Sequence, residues 1–563
     1  MNHFSHRERS AAIAELKSAK FDVMIIGGGI TGAGLALDAA ARGLKTGLAE
    51  KRDFGSGTSS RSTKLIHGGL RYLEHFEFGL VREGLEERSI LARIAPHLVE
   101  PFPFLIPIYK DRKRNYSQPF QIRLGLFFYD LLAGKRGYGK HRRLDLGKTL
   151  ELAPQLDPNG LAGSLVYYDG ITDDARLVIE VIKSAHGLGA SSTNYVKALG
   201  LIRDNKGKVE GVHLHDQLSG DEWETRSSVV ISATGIWTDE LRRPGARSDG
   251  NPEDQKRVRP SKGVHIVFTS DRLQVKSACL IPARNSHRFY FVVPWEDRVV
   301  VGTTDTDYRG DWDSPGADAG EVSEILNAIK SYFPAAKLEM ADVISSFAGL
   351  RPLVSDGQAS SKDVSRKEEI FQGRDGLISI AGGKLTTYRR MAERAIDLAI
   401  RKLNPASRTP TRSDGITVGG GAIDREELDA LALEFARIEH LSPATARHLI
   451  TAYGSDYKTV VDLARDAPGK ELREDLVRPL VSTLPHIAVE VLYAIRHEMA
   501  MTLADVLARR MRLAILAGKE VLNCGSVVAD LMARELGWSD SEKARQLEAF
   551  VNELTIEYLA PIQ

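Results

Sequence analysis

Cysteine is nearly absent: Cys279 and Cys524 are the only two in 563 residues, and neither belongs to a CxxC pair or a Cys/His cluster. That scarcity argues against a disulfide framework or a metal site and suits a reducing, cytoplasmic location. No apolar run approaches the roughly 20 residues a spanning helix needs, so no membrane crossing is expected. Charge of one sign is missing too. The 76 Lys and Arg against 75 Asp and Glu leave a net charge of +1, which speaks against a general nucleic-acid binder. The N-terminal stretch MNHFSHRERSAAIAELKSAK has no long apolar segment of the signal-peptide kind and reads as a short polar helix before the first strand. The length calls for two or three structural units.

What the chain does have is patterned. Phe21 to Ile26 (FDVMII) is a nearly continuous apolar run, as in a parallel strand buried on both faces. Ile30 to Arg42 is rich in small helix formers, Gly43 ends that helix, and LKTGLAE reads as a second strand closing at Glu50. Val229 to Gly235 (VVISATG) and Leu377 to Gly383 (LISIAGG) repeat the buried, glycine-ended pattern far downstream. If they return to the first sheet, the nucleotide-binding domain is discontinuous, drawn from residues 20–75, 165–240 and 340–400. Residues 76–164 and 241–339, with strand-like runs between Val264 and Tyr308, then form a substrate-binding cap with a mixed or antiparallel sheet. Arg401 to Asp414 reads as a linker, and helical periodicity predicts an all-helical C-terminal domain over 405–563. The expected class is α/β with α+β: a Rossmann-like domain, a cap and a helical domain.

Gly27-Gly28-Gly29-Ile30-Thr31-Gly32 satisfies GxGxxG directly after a buried strand and before a helix. Gly27 permits a tight turn, Gly29 lets the backbone approach a pyrophosphate, and Gly32 allows close helix packing, while the helix N-terminus offers N–H groups to the anion. Glu50, 18 residues beyond Gly32, is placed to accept hydrogen bonds from ribose hydroxyls. The fingerprint alone fits NAD or FAD. The long hydroxyl-rich stretch after Glu50, KRDFGSGTSSRSTKLIHGG, favours FAD, because it suits a loop crossing a flavin rather than an immediate third strand. Its candidate cofactor contacts are Thr58, Ser59, Ser60, Ser62, Thr63 and Lys64, with Gly235 of SATGIW. A second set is Gly382, Gly383, Lys384, Leu385 and Thr386, where a strand ends in two glycines and a helix opens toward charge developing on a reduced flavin.

The ordered motifs IIGGGITGAGLALDAAARG, GTSSRSTKLIHGGLRYLE, ITDDARL, SATGIW, VVPWEDRVVVGTTDTDY, GLRPL and AGGKLTTYR resemble those of the respiratory FAD-dependent glycerol-3-phosphate dehydrogenases. They cover about residues 20 to 400. Two places depart from that family's pattern: Ser232-Ala233-Thr234-Gly235, where Asn commonly comes first, and Lys262-Gly263-Val264-His265, where Ser often precedes His.

The resemblance implies oxidation of sn-glycerol 3-phosphate to dihydroxyacetone phosphate, with hydride passing from C2 to N5 of FAD. The protein must then accept a proton, steady the oxygen and bind a phosphate. His67 is the leading general base, although a histidine at a turn, taken alone, more often serves structure; His265 is a second candidate. Arg351 of GLRPL carries a fixed charge suited to a developing alkoxide, with a surface ion pair as the plainer alternative. Arg71, Tyr72, Lys384 and Arg366 match substrate-facing positions, and Arg366 also reads as part of a charged loop.

Between Tyr109 and Arg143 stand ten Lys or Arg against two Asp, interleaved with FQIRLGLFFYDLLAG. The segment suits peripheral contact with the cytoplasmic face of an anionic membrane, near a quinone pool, or a partly buried cap helix with a solvated loop. The resemblance favours the former, with a membrane quinone as electron acceptor. The rival readings are an oxidase passing electrons to O2 with hydrogen peroxide as product, and a catalytically silent flavoprotein binding module. A homodimer is compatible with the sequence but not dictated by it.

Overall fold

Residues 4–562 of the computed structural model are described here, apart from 112, 113, 116, 243–256, 284–288, 355–367, 405, 407 and 408. Helix α1 (His6–Ser18) starts where the Ser5 hydroxyl accepts the Glu8 N–H at 3.2 Å, and it leads into strand β1 (Lys20–Ile26). The last four residues of β1 are buried, as its apolar run requires. Helix α2 (Ile30–Ala41) crosses to β2 (Thr46–Ala49), which pairs in parallel with β1, Ile25 opposite Leu48.

Among the described residues the first sheet has eight strands. Its main path runs Glu369–Gln372, Ile378–Ala381, Glu222–Ser232, β1, β2, Ser191–Thr193, and the hairpin Val196–Arg203 and Val209–Asp216 hangs on Glu222–Ser232. The two downstream runs singled out in the sequence thus lie side by side here, Ile231 opposite Ile378. On one face α2 packs between the helices Asp174–Gly187 and Tyr388–Leu403, burying Ala33, Leu37, Ile182 and Ile396. Small residues make that closeness possible: a Cβ on Gly34 would stand 2.6 Å from the Tyr388 ring.

The second sheet has ten strands among the described residues and is mixed. It includes β3 (Leu65–Ile66), β4 (Val99–Tyr109) and the strands Leu161–Thr172, Val258–Thr269 and Ser345–Val354. Helices α3 (Phe78–Ile94) and α4 (Pro119–Ala133) cover part of it through Val81, Leu85, Leu126 and Tyr129. The sequence-based division put β3, residues 165–172 and Ser345–Val354 in the nucleotide-binding segments, whereas all three pair within the second sheet. A strand buried on both faces carries the same apolar pattern in either sheet, so the pattern cannot say which sheet receives it.

From Leu428 onward the described residues form helices and turns with one isolated bridge, Pro479 to Ile487. This helical domain shares its core with the second sheet through Trp295, Val300 and Phe347. It also reaches beneath the loop that follows β2. Arg509 and Arg510, in the buried turn Asp505–Arg510, bind the Asp53 carboxylate at 2.9 and 2.7 Å, and Glu557 pairs with Arg61 at 2.6 Å.

Candidate active site

A cavity of about 510 Å³ opens at the C-terminal ends of the parallel strands, the place where open α/β sheets bind ligands. Gly27 and Gly29 form its floor, with Thr31 at the first turn of α2. Gly27 sits at φ +108°, and a Cβ on Gly32 would fall 1.8 Å from the Gly27 carbonyl, so this tight entry into α2 tolerates no side chain. Gly29 caps α2 without a side-chain hydrogen bond, leaving the helix N-terminus turned to the cavity. The Ser59 hydroxyl accepts the Ile30 N–H at 3.0 Å. Glu50, also on the wall, accepts the Gly28 and Arg52 amides at 2.6 and 2.8 Å; burial raises its pKa, and those donors act against the rise. Two carboxylate oxygens have acceptor capacity beyond two amides, which suits ribose hydroxyls.

Thr58, Ser62 and Gly235 line the cavity, as do Gly382 and Gly383, which take φ +77° and +80° to turn the chain into the helix Tyr388–Leu403. Lys384 and Leu385 follow on the same wall. An anion-receptive helix end, a carboxylate and a glycine floor around one cavity suit the pyrophosphate and ribose of an FAD.

Beside the cavity, next to Lys384, β3 pairs with Leu161–Thr172, Ile66 opposite Gly170. The chain then turns sharply. The Thr386 hydroxyl accepts the His67 N–H at 3.0 Å, and the Tyr129 hydroxyl accepts the Gly68 N–H at 2.9 Å. Gly69 sits at φ +82°, and a short helical turn, Leu70–His75, carries Arg71 and Tyr72. The Lys384 ammonium lies 3.8 Å from the centre of the Tyr72 ring, a cation–π distance. His67 and Tyr72 are thereby neighbours of Lys384 and Thr386, which lie more than 300 residues further along the chain.

A model of the family described as FAD dependent oxidoreductase matches residues 22–389. The chain belongs to this family. A second model, the C-terminal domain of alpha-glycerophosphate oxidase, matches residues 411–543. A glycerol-3-phosphate dehydrogenase of Mycobacterium leprae is 38% identical over 99% of this chain and 92% of its own length. The mitochondrial glycerol-3-phosphate dehydrogenase of Bos taurus is 38% identical over 96% of this chain and 74% of its own. A crystal structure of glycerol-3-phosphate dehydrogenase from Bacillus halodurans complexed with FAD superposes with a TM-score of 0.79, 33% identity and 98% coverage of both chains. The cofactor of this FAD-dependent oxidoreductase is FAD.

Several side chains expected at the cofactor do not line the cavity. The Lys64 amine is wholly buried in an ion pair with Asp174 at 2.7 Å, also donating to the Ser60 carbonyl at 3.0 Å, and it does not line the cavity. Its backbone takes φ +64°, which turns the side chain inward. Burial and the neighbouring Arg512 lower its pKa to about 8 against the pull of Asp174. Ser60 is buried with its carbonyl accepting from Arg512 at 2.8 Å as well, while the Thr63 hydroxyl bonds the His265 Nε2 at 2.9 Å. Gly28, Gly32 and Thr386 stand behind the cavity surface and support it through the contacts above. His265, the second base candidate, is a core group: it stacks on Phe347 at 4.7 Å, and burial with the nearby Arg351 and Lys64 cations holds its pKa well below the usual value.

Arg351 lies between the cavity-lining Leu350 and Pro352 on the strand Ser345–Val354. It donates to the Thr303 hydroxyl at 2.9 Å and the Thr304 carbonyl at 3.2 Å, and its 3.3 Å ion pair with Asp305 leaves the side chain 23% exposed. The plainer ion-pair reading therefore has a real carboxylate behind it. Arg366 lies outside the described residues.

The residues not singled out in advance are those that brace the wall: Asp174, Arg512, Tyr129, Asp169 and Arg88. Asp174 stood in a quoted motif, ITDDARL, where Asp173 is the visible helix cap. Nothing local distinguishes its neighbour, whose partners are 110 and 338 residues away.

Proposed function

We propose that the chain oxidises sn-glycerol 3-phosphate at C2 to dihydroxyacetone phosphate. The observation that carries this reading is the convergence of His67, Tyr72 and Lys384 beside a glycine-floored cavity suited to FAD. The names of the relatives and of the FAD-bound crystal structure support the same substrate. Lys384, with Arg71 on the adjoining turn, supplies cations for the phosphate, and Tyr72 packs its ring beneath the ammonium. His67, half-buried on the turn, takes the alcohol proton as general base. Arg351 steadies the oxygen that becomes the ketone. FAD, when bound, supplies the two-electron acceptor.

The electrons pass on to a membrane quinone, with the protein seated peripherally on the cytoplasmic face. Helix α4 supports this seating. It buries Leu126, Tyr129 and Ala133 while exposing Phe120, Phe127 and Leu131 at 74%, 54% and 63%. Phe78 joins the exposed face, 6.1 Å from Phe128, and exposed Arg123, Lys135 and Arg136 stand beside it. An apolar face rimmed by cations suits an anionic lipid surface. Among the described residues no helix is long and apolar enough to cross a membrane.

Steady-state turnover in two arms tests both parts. Ketone formation dependent on a quinone analogue, and flotation with anionic vesicles that Phe120→Glu abolishes, are expected. Hydrogen peroxide formed in step with ketone, without added acceptor, would replace the quinone by O2.

A further inference from the structure

Two consecutive amides of the His67 turn are held by hydroxyls from opposite sides. Thr386, at the start of the cofactor-side helix, holds the first, and Tyr129, on the inner face of α4, holds the second. The second hydroxyl is itself braced. It donates to Asp169 Oδ1 at 2.7 Å, and Arg88 Nη1 donates to the same oxygen at 2.6 Å and to the Tyr168 carbonyl at 2.6 Å. Asp169 Oδ1 also stands 3.3 Å from the Gly68 nitrogen. Tyr129, Asp169 and Arg88 are each at most 2% exposed and come from α4, the strand Leu161–Thr172 and α3. A charged, water-excluded chain of this kind is stiff, because each hydrogen bond polarises the next and leaving any member unpaired is costly.

Sterics close the remaining freedom. A Cβ on Gly68 would lie 2.6 Å from the Tyr129 oxygen and 2.7 Å from Leu85, and a Cβ on Gly84 would lie 2.9 Å from the Gly68 carbonyl. The peptide after His67 is therefore gripped by α3 on one side and Tyr129 on the other. The ring of Tyr129 meets Tyr167 edge-on at 5.9 Å, so the hydroxyl has a fixed base.

We propose that Tyr129 is a positioning residue: its hydroxyl, braced by Asp169 and Arg88, fixes the Gly68 amide and thereby the direction from which His67 meets the substrate. The role rests on the reading of this turn as the substrate wall. A hydroxyl is the group required, since it accepts from the amide while donating its own O–H to the carboxylate. Phenylalanine would keep the packing and remove both hydrogen bonds.

The test is anaerobic stopped-flow reduction of the holoenzyme by sn-glycerol 3-phosphate, comparing wild type, Tyr129→Phe and Leu126→Ala. For Tyr129→Phe the expected result is full FAD content, a limiting reduction rate lower by about tenfold, and a substrate dissociation constant changed by less than about threefold. Hydrogen exchange over residues 65–72 should quicken in the same variant. Leu126→Ala loosens the same helix but keeps the hydroxyl, and is expected to lower the melting temperature while sparing the rate. An unchanged rate in Tyr129→Phe overturns the positioning role, as does equal slowing in both variants or loss of FAD from Tyr129→Phe. A wild-type flavin that stays oxidised overturns the proposed reaction and this role with it.

Discussion

The two walls of the site are built on different principles. The cofactor cradle is mostly backbone and small groups, with Gly27 and Gly29 giving access, Gly32 allowing the tight entry into α2, and the Ser59 hydroxyl and Glu50 carboxylate tying amides. The proposed substrate wall, His67 to Tyr72, is held from behind by buried charge. Lys64 and Arg512 share Asp174, and Arg88 steadies Asp169. A cradle made of backbone depends on space, so its failures should appear as lost cofactor. A wall held by side chains depends on direction and pairing, and should fail in rate, affinity or stability with the cofactor still present.

Gly32→Ala should have the largest effect, because its Cβ would meet the Gly27 carbonyl at 1.8 Å. The purified protein is expected to carry little FAD, read from its visible absorbance against protein concentration. Near-full occupancy would show that the cradle yields more than its geometry implies. Asp174→Asn comes next. It leaves the Lys64 and Arg512 cations buried without their shared carboxylate, a loss on the order of 3–5 kcal/mol. A marked fall in melting temperature is expected with FAD still bound at low temperature. An unshifted melting curve would remove the buried charges as a brace.

His67→Ala should keep FAD and slow anaerobic flavin reduction by about 10²-fold, the scale of a lost general base. Equal rates in variant and wild type would strike His67 from the mechanism. Lys384→Ala should act more gently, weakening substrate binding by about tenfold through the loss of one charge-assisted contact. Since Lys384 lies on the border between the walls, loss of FAD from this variant would move it to the cradle.

The same contrast explains what could be read from the sequence. The cradle is local: Gly27 to Gly32 and Glu50 fall within one βαβ unit, where spacing alone predicts a strand, a turn and a helix start. The turn at His67 and the glycines before Lys384 were visible as motifs, though not the hydroxyl contact that joins them across 319 residues. The braces were not visible. In LADVLARRMRLAIL the arginines look like the solvated face of an amphipathic helix, whereas Arg509, Arg510 and Arg512 are at most 3% exposed and bind carboxylates of other segments. Helical periodicity records which side of a helix is apolar, and a charge buried by a distant partner breaks that rule. Lys64 shows the same limit: its place in a flavin-side motif says nothing of its buried ion pair with Asp174. Helix α4 was legible as an apolar and basic segment, but the inward hydroxyl of Tyr129 depends on a glycine 61 residues earlier.

The most direct measurement is anaerobic titration of the FAD-bound protein with sn-glycerol 3-phosphate, following the visible band of oxidised flavin. The band is expected to bleach fully as dihydroxyacetone phosphate forms in equal amount to the FAD reduced. A band that persists through excess substrate, in protein that dithionite bleaches normally, would contradict it.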